Sequence, residues 1–477
     1  MSTTTAEAST SNVVTQTVAR GLCIGCGVCA GVCPVNNLRM AWNQDDLYAP
    51  QDAGHCLANC RLCTQVCPFL DHEETIDSLA QARFAAVEEI RHTPETGYYH
   101  SCFAGAVCDE TERRQSVSGG LASWLLARVL ADGQATRIIC VTPTPDPDRL
   151  FAYTMLDTPE AVKAARGSAY YPVEISEALR TVQHDEGRYV IIGLPCVLKA
   201  VRLAMHVLPR LRERIVLLVG LVCGKTRSKG FAELLLRASG SVPERITSFQ
   251  FRVKAAEASP ALSYFSVNGT VRSLPAADYA RTWVSGQLTP RACQFCDDIF
   301  AEVADVVLMD AWIPPYLQDA RGTNIALIRS ASVQSYFAAG EADGLLTLVP
   351  LDIAQVIASQ RGVIQVKRAQ LACRLWLADR EAQPRPRTRL TPQSPTWLQH
   401  LRLVEQETVR RQSFAALRRQ RETGERGITC YEREMRRALR RWHLFYELNE
   451  TGILRTLAGM ARYPLKIVYN YLRKGKS

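Results

Sequence analysis

CIGCGVCAGVCP (Cys23–Pro34) and CLANCRLCTQVCP (Cys56–Pro68) decide how this chain is read. The first run spaces its thiols as Cys23-x2-Cys26-x2-Cys29-x3-Cys33-Pro34. The second reads Cys56-x3-Cys60-x2-Cys63-x3-Cys67-Pro68, one residue longer at its first step. A 4Fe-4S cubane takes one thiolate per iron, and a short turn-rich loop can wrap three thiolates around one face. The fourth Cys of such a run then ligates the cluster of the other run. Cys23, Cys26, Cys29 and Cys67 are expected on one cluster, and Cys56, Cys60, Cys63 and Cys33 on the other. Zinc and disulfides are the competing readings. Zinc sites pair two CxxC units and have no use for four cysteines in one run.

The spacing delimits a bacterial-ferredoxin-like module at residues 18–71. Clustered thiols of this kind imply a reducing compartment, hence a cytoplasmic protein. Residues 1–17 are Ser/Thr-rich without an apolar core and read as a disordered tail, not a secretory signal. No stretch of 18 uncharged apolar residues occurs, so no membrane-spanning helix is expected. The chain has 477 residues, 47% hydrophobic and 22% charged, enough for several packed domains. Its net charge of +10 is uneven. Residues 400–477 hold 18 Lys and Arg against 8 Asp and Glu, which accounts for the whole excess.

After a charged helical linker and turn (72–100), the pattern changes to short apolar strands alternating with amphipathic helices. Arg137–Thr142, Arg188–Leu194, Arg214–Val222 and Ala304–Asp310 are continuous β-branched runs, as expected of strands buried on both faces of an α/β sheet. LASWLLARVLADG and KGFAELLLRASG are helices that end at glycine. SFQFRVK and LSYFSVNGTVRSL alternate with period two around an Asn-Gly turn and predict an antiparallel hairpin region. This body spans 101–380. A Pro/Arg/Thr-rich linker (381–399) follows, then a basic helical region, 400–477. The fold class is thus α+β / α/β.

Three cysteine features stand beside the body strands: Cys196 in GLPC, Cys223 in GLVCGK, and Cys293 with Cys296 in RACQFCDD. Four thiolates suffice for a third 4Fe-4S cluster, and the crevice beyond the strand carboxyl ends is where open α/β sheets bind ligands. Two core cysteines plus a zinc-binding or redox-active CxxC is the alternative. Cys102, Cys108, Cys140, Cys373 and Cys430 read as buried small hydrophobes. Ser118, Gly119 and Gly120 precede a helix, an arrangement that suits a flavin pyrophosphate or a plain structural turn. Gly167, Ser168 and Tyr170 form a second candidate loop, with a surface turn as the alternative. Lys199, Arg202, Lys225 and Arg227 can steady an acidic substrate or a flavin's phosphates, or can be solvated surface cations. No Rossmann, P-loop, HExxH or GxSxG motif is present.

SGGLASWLLARVL, RGSAYYP, GLPCVLKAVR, GLVCGKTRSKGF and RACQFCDDIFAEVADVVLMDAW occur in that order. Over about residues 18–330 the chain resembles the family of coenzyme F420 hydrogenase/dehydrogenase beta subunits. The resemblance implies an iron-sulfur flavoprotein with FAD in the α/β body and a body cluster near the flavin, on Cys196, Cys223, Cys293 and Cys296. It implies flavin-side roles for Ser118, Gly119, Gly120, Gly167, Ser168 and Tyr170. Where relatives often carry Gly-Asp-x-Trp, this chain has Met309-Asp310-Ala311-Trp312. Family substrates include F420 itself and organic compounds reduced at the expense of ferredoxin.

A cluster carries one electron, whereas a flavin exchanges one or two. In series they couple a one-electron carrier to hydride chemistry. The expectation is an FAD/4Fe-4S oxidoreductase with a small-molecule substrate and a redox partner protein, ferredoxin or a hydrogenase or dehydrogenase subunit. The alternative is a relay subunit with no substrate of its own. The basic region can dock a partner, lie on an anionic membrane face or fold back as a helical cap. No recognition motif accompanies its charge, which argues against nucleic acid.

Overall fold

In the computed structural model, residues 11–254 and 262–451 are described, with the side chains of 449–451 left aside. An eight-stranded mixed sheet dominates. Its order is Leu346–Pro350, Ser101–Val107, Asn324–Ile328, Val306–Asp310, Ile215–Leu221, Tyr189–Gly193, Arg137–Pro143 and Phe151–Leu156. The four strands from Val306–Asp310 to Arg137–Pro143 pair in parallel, and the outer strands are antiparallel. The parallel set is the four apolar runs of the sequence. Alternate residues serve opposite faces: Ile139, Ile191, Leu218 and Val307 enter one core, and Ile138, Val190, Val219 and Val306 the other. Helices Ser176–His184 and Pro195–Val207 cover the first face. Helices Leu121–Ala131 and Ala331–Ala342 cover the second.

The hairpin region forms as its pattern predicts. Phe249–Gln250, Leu262–Val267 and Thr270–Pro275 make a three-stranded antiparallel sheet. Asn268 and Gly269 turn it with φ of 49° and 76°, the positive pair of a two-residue hairpin loop.

Several segments are better ordered than their composition suggests. Residues 11–17 belong to the first module, not to a tail. Val14–Val18 is a short π-helical segment, Val13 and Thr17 are buried, and Asn12 Nδ2 donates to Asp52 Oδ2 at 2.5 Å. Residues 1–10 lie outside the described residues. The 72–100 linker contains a helix, Ile76–Phe84, whose Ile76, Leu79, Ala80 and Phe84 are buried, and a hairpin of Arg91–Thr93 with Gly97–Tyr99. The 381–399 stretch has no regular structure before Trp397, yet Arg389 pins it to Glu302 and Asp77, the latter at 2.9 Å.

The basic region is a cap over its described length. Helices Trp397–Glu422 and Thr429–Thr451 pack on each other, and Leu417, Tyr431, Met435 and Trp442 join an aromatic core with Phe231, Phe249 and Phe265. Three of its cations pair with acids among the described residues: Arg421 with Glu233 and, at 2.6 Å, Asp46; Arg418 with Asp45 at 2.7 Å; Arg441 with Glu405. TGILRTLAGMARYPLKIVYNYLRKGKS, from its second residue on, lies outside the described residues. Among the described residues no helix is long and apolar enough to cross a membrane.

Arg329 ties these layers together. It is fully buried at the end of Asn324–Ile328, and its guanidinium donates to the carbonyls of Tyr98 (2.7 Å), Thr96 (3.0 Å), Ala304 (3.0 Å), Ala301 (3.1 Å) and Phe300 (3.1 Å). A lysine has three donors from one nitrogen and cannot span that fan. Arg329→Lys is therefore expected to strand at least two buried carbonyls and cost about 3 kcal/mol or more. A drop of many degrees in Tm checks this; an unchanged Tm contradicts it.

Candidate functional site

Twelve cysteines gather into three groups of four. Cys23, Cys26 and Cys29 face Cys67 across a small cavity that they line with Val66 and Phe69. Cys63 faces Cys56, Cys60 and Cys33. Cys196 faces Cys223, Cys293 and Cys296. The crossed membership of the first two groups follows from the chain path. Short helices Val28–Gly31 and Leu62–Gln65 pack together and carry Cys33 and Cys67 past their own loops.

Local geometry supports each loop. Gly25 and Gly27 have φ of 74° and 79°, and a Cβ on either would lie 2.5 Å from Tyr48 O or Glu174 Oε2. Backbone amides approach sulfur: Gly25 N lies 3.3 Å from Cys23 Sγ and Asn37 N lies 3.2 Å from Cys33 Sγ. Thr17 Oγ1 is 3.4 Å from Cys67 Sγ. Burial pushes the thiols up, Cys23 and Cys223 to about 12, so a bare thiolate there is costly without a positive partner.

The donor sets fit 4Fe-4S clusters. Each is four sulfurs with amide donors or a cation nearby. Among the described residues no three His, Cys, Asp or Glu side chains draw close enough to hold one metal ion. A cubane distributes its thiolates over four irons, so its ligands stand further apart than those around one zinc. Buried Lys367 faces Cys296, Cys223 and Cys293, a placement that suits a negatively charged occupant.

The groups are joined end to end. Cys29 faces Cys63 as well as its own partners, which links the first two groups. Cys26 is among the thiols that Cys196 faces, which links the module to the body. The join is anchored by Ile175 N donating to Cys26 O at 2.9 Å, Arg180 Nη2 to Ala30 O at 3.0 Å and Gln183 Nε2 to Gly31 O at 2.8 Å. Gly31 allows this contact, since a Cβ there would sit 3.0 Å from Leu179 Cβ.

Beyond the body group, at the strand carboxyl ends, the two candidate flavin loops come together. Ser118 Oγ donates to Thr323 O at 2.9 Å, and Lys254 Nζ donates to Ser118 O at 3.0 Å. Gly119 is needed for packing: a Cβ would lie 2.5 Å from Gly105 O. Gly120, with φ of 86°, opens helix Leu121–Ala131, whose first amide is capped by Asn324 Oδ1 at 3.2 Å. Arg166 bridges to Gln115 Oε1 at 3.1 Å, which sets the Gly167–Ser168 loop beside the first loop. Nothing stands within 4 Å of a Cβ on Gly167. Tyr170 faces Arg252, which pairs with Asp310 at 2.8 Å, and Tyr170 also faces Cys223.

The four candidate cations each donate to a backbone carbonyl. Lys199 is not at the flavin-side loops. It donates to Pro68 O at 2.9 Å, in the second Cys-Pro. Arg202 donates to Val303 O at 2.8 Å and faces Asp305. Lys225 donates to Trp283 O at 3.0 Å, and burial beside Arg227 and Arg374 pulls it down to about 7. Arg227 is fully buried against Trp283, donates to Thr289 Oγ1 at 2.6 Å, and burial brings it to about 9. None is a solvated surface cation, because carbonyls and aromatic faces take up their donors. Arg252, Lys254 and Lys367 carry no motif and escape a sequence reading.

Of the unpartnered cysteines, Cys102, Cys140, Cys373 and Cys430 are buried as expected, but Cys108 is exposed, 3.3 Å from Thr347 Oγ1. It follows the strand Ser101–Val107, where the chain emerges from the sheet. Iodoacetamide should therefore modify Cys108 first in native protein, and the four buried cysteines only after denaturation. Peptide mass mapping reads the order; early labelling of Cys140 or Cys430 would contradict the packing.

The model for the N-terminal part of the coenzyme F420 hydrogenase/dehydrogenase beta subunit matches residues 102–180, and the model for its C terminus matches 186–353. A 4Fe-4S dicluster domain matches residues 22–70. One of the subunits of the F420H2 dehydrogenase of Methanosarcina mazei is 23% identical over 340 residues, covering 68% of this chain and 84% of that protein. An uncharacterized protein of Methanocaldococcus jannaschii is 21% identical over 343 residues, covering 68% and 88%. A chain of the F420-reducing NiFe hydrogenase complex from Methanosarcina barkeri superposes with a TM-score of 0.46 at 18% identity, covering 58% of this chain and 92% of that one. The two family models for the body match adjoining stretches and the dicluster match precedes them: this chain belongs to the family of coenzyme F420 hydrogenase/dehydrogenase beta subunits, with a 4Fe-4S dicluster domain ahead of the family body.

Proposed function

We propose that this chain is an iron-sulfur flavoprotein oxidoreductase that exchanges single electrons with a partner through its N-terminal thiol groups and carries out hydride chemistry at FAD in the body. The observation that carries the reading is the unbroken succession of sites. The group containing Cys56 and Cys60 is followed by the Cys23/Cys26/Cys29/Cys67 group, then by the body group, then by Tyr170 and the Ser118 and Gly167 loops. Bound FAD would supply the change between one-electron and two-electron transfer.

The chain's own residues do the positioning. Cys23, Cys26, Cys29 and Cys67 hold one cluster, Cys33, Cys56, Cys60 and Cys63 a second, and Cys196, Cys223, Cys293 and Cys296 a third. Gly167 leaves room for a phosphate or ring to approach the backbone. Tyr170, packed edge-on against Phe251 and Trp283 and facing Arg252, stands between the body thiols and the flavin-side loops. His55 and Leu57, beside Cys56, are exposed and form the face on which a redox partner docks. The likeness to a component of an F420H2 dehydrogenase makes F420 the first substrate to test and a larger redox complex the first setting.

A relay subunit without flavin is the second reading, favoured by the extent to which Gly119 and Ser118 are used in packing. Anaerobic purification with iron, sulfide and flavin analysis separates the two. Bound FAD that bleaches on adding reduced F420 supports the first reading; native protein devoid of flavin supports the second. Within either, Cys29→Ser, Cys63→Ser and Cys296→Ser should each remove one cluster's spin signal and spare the others. Loss of two signals from Cys296→Ser alone would contradict the grouping.

A further inference from the structure

Lys367 ends the helix Arg361–Lys367 and is 3% exposed. Its ammonium makes a long contact, 3.5 Å, to the carbonyl of Asp298 and faces Cys296, Cys223 and Cys293. Among the described residues no carboxylate lies within ion-pair distance of it. Burying an ammonium without an anion costs several kcal/mol, and neutral thiols do not offset that. Four thiolates on a cluster leave net negative charge in the same space, and one more when the cluster is reduced.

We propose that Lys367 is a positioning residue that raises the reduction potential of the body cluster and so makes that cluster the favoured resting place for an electron arriving from the N-terminal groups. It rests on the reading that Cys196, Cys223, Cys293 and Cys296 hold a cluster. The physical basis is Coulombic. Reduction adds a negative charge beside a fixed cation, and in a buried site that attraction is screened far less than in water. The desolvation of the cluster is common to native and variant protein, so substitution at Lys367 isolates the charge. Lys225, also facing Cys293, is tethered to Trp283 O and does not replace it.

The test is a redox titration followed by electron spin resonance on the anaerobic full-length protein, comparing native chain, K367R, K367Q and K367M. In K367Q and K367M the body signal should titrate at lower potential, its reduced-to-oxidised ratio falling about tenfold or more at the native midpoint. The two N-terminal signals serve as internal references and should stay in place, and K367R should resemble the native chain. An unmoved body signal in K367Q, or K367R shifting as far as K367Q, overturns the proposal. If both neutral variants lose the body cluster, its retention in K367R supports the charge role and its loss there too overturns it. Native protein with iron for two clusters only and no third signal fails the underlying assignment instead, whatever Lys367 does.

Discussion

The seam between the dicluster module and the body governs the rest of this molecule. An electron's transfer rate falls steeply with distance, so two redox groups are useful to each other only when their protein hosts are held in fixed register. Here the register is set by Cys26 O accepting from Ile175 N, by Arg180 and Gln183 reaching the carbonyls of Val28–Gly31, and by Lys199 reaching Pro68 O. On the module side the carbonyls that bind the seam, of Cys26, Ala30, Gly31 and Pro68, belong to the thiol runs themselves. A shift of the seam would thus move the thiol groups relative to one another, and not merely a surface. Cys29 and Cys196 are packed in two apolar cores at once, which leaves no slack between the parts.

Buried charge is handled in three ways around that seam. Arg329 is neutralised by no single acid but has its donors taken up by carbonyls of two segments, so its role is architectural. Arg389 meets Glu302 in an ion pair that closes the extended stretch over the body. Lys367 has no acid and only one long carbonyl contact, and it looks toward sulfur. A buried cation satisfied by backbone is structural; one that faces a ligand set is tied to what the ligands hold.

The Arg-rich helices show how a charge excess misleads when read alone. Arg418, Arg419, Arg421 and Arg441 answer acids scattered from Asp45 to Glu434, and the helices' apolar residues join Phe231, Phe249 and Phe265 in one core. Asp45 and Asp46 lie in the turn of the first module's hairpin. The cap therefore touches the dicluster module and the body together and helps fix their relation.

The thiol runs were legible because cluster ligation needs a residue type at a set spacing, and that is written locally. The four parallel strands were legible because burial on both faces demands unbroken apolar runs, and the Asn268-Gly269 turn because its positive φ values demand those residues. Residues 11–17 were not, since Ser and Thr look disordered until Asp52 and Cys67 appear opposite them. Nor were the places of Lys199, Arg202, Lys225 and Arg227, because a cation's partner is fixed by carbonyls remote in sequence. The amino-acid order by itself determined which residues can ligate iron and which segments become strands, since both depend on near neighbours along the chain. Which thiol group stands beside which, and that Lys367 looks into the last of them, was decided only by tertiary packing, because those contacts join segments remote from one another along the chain.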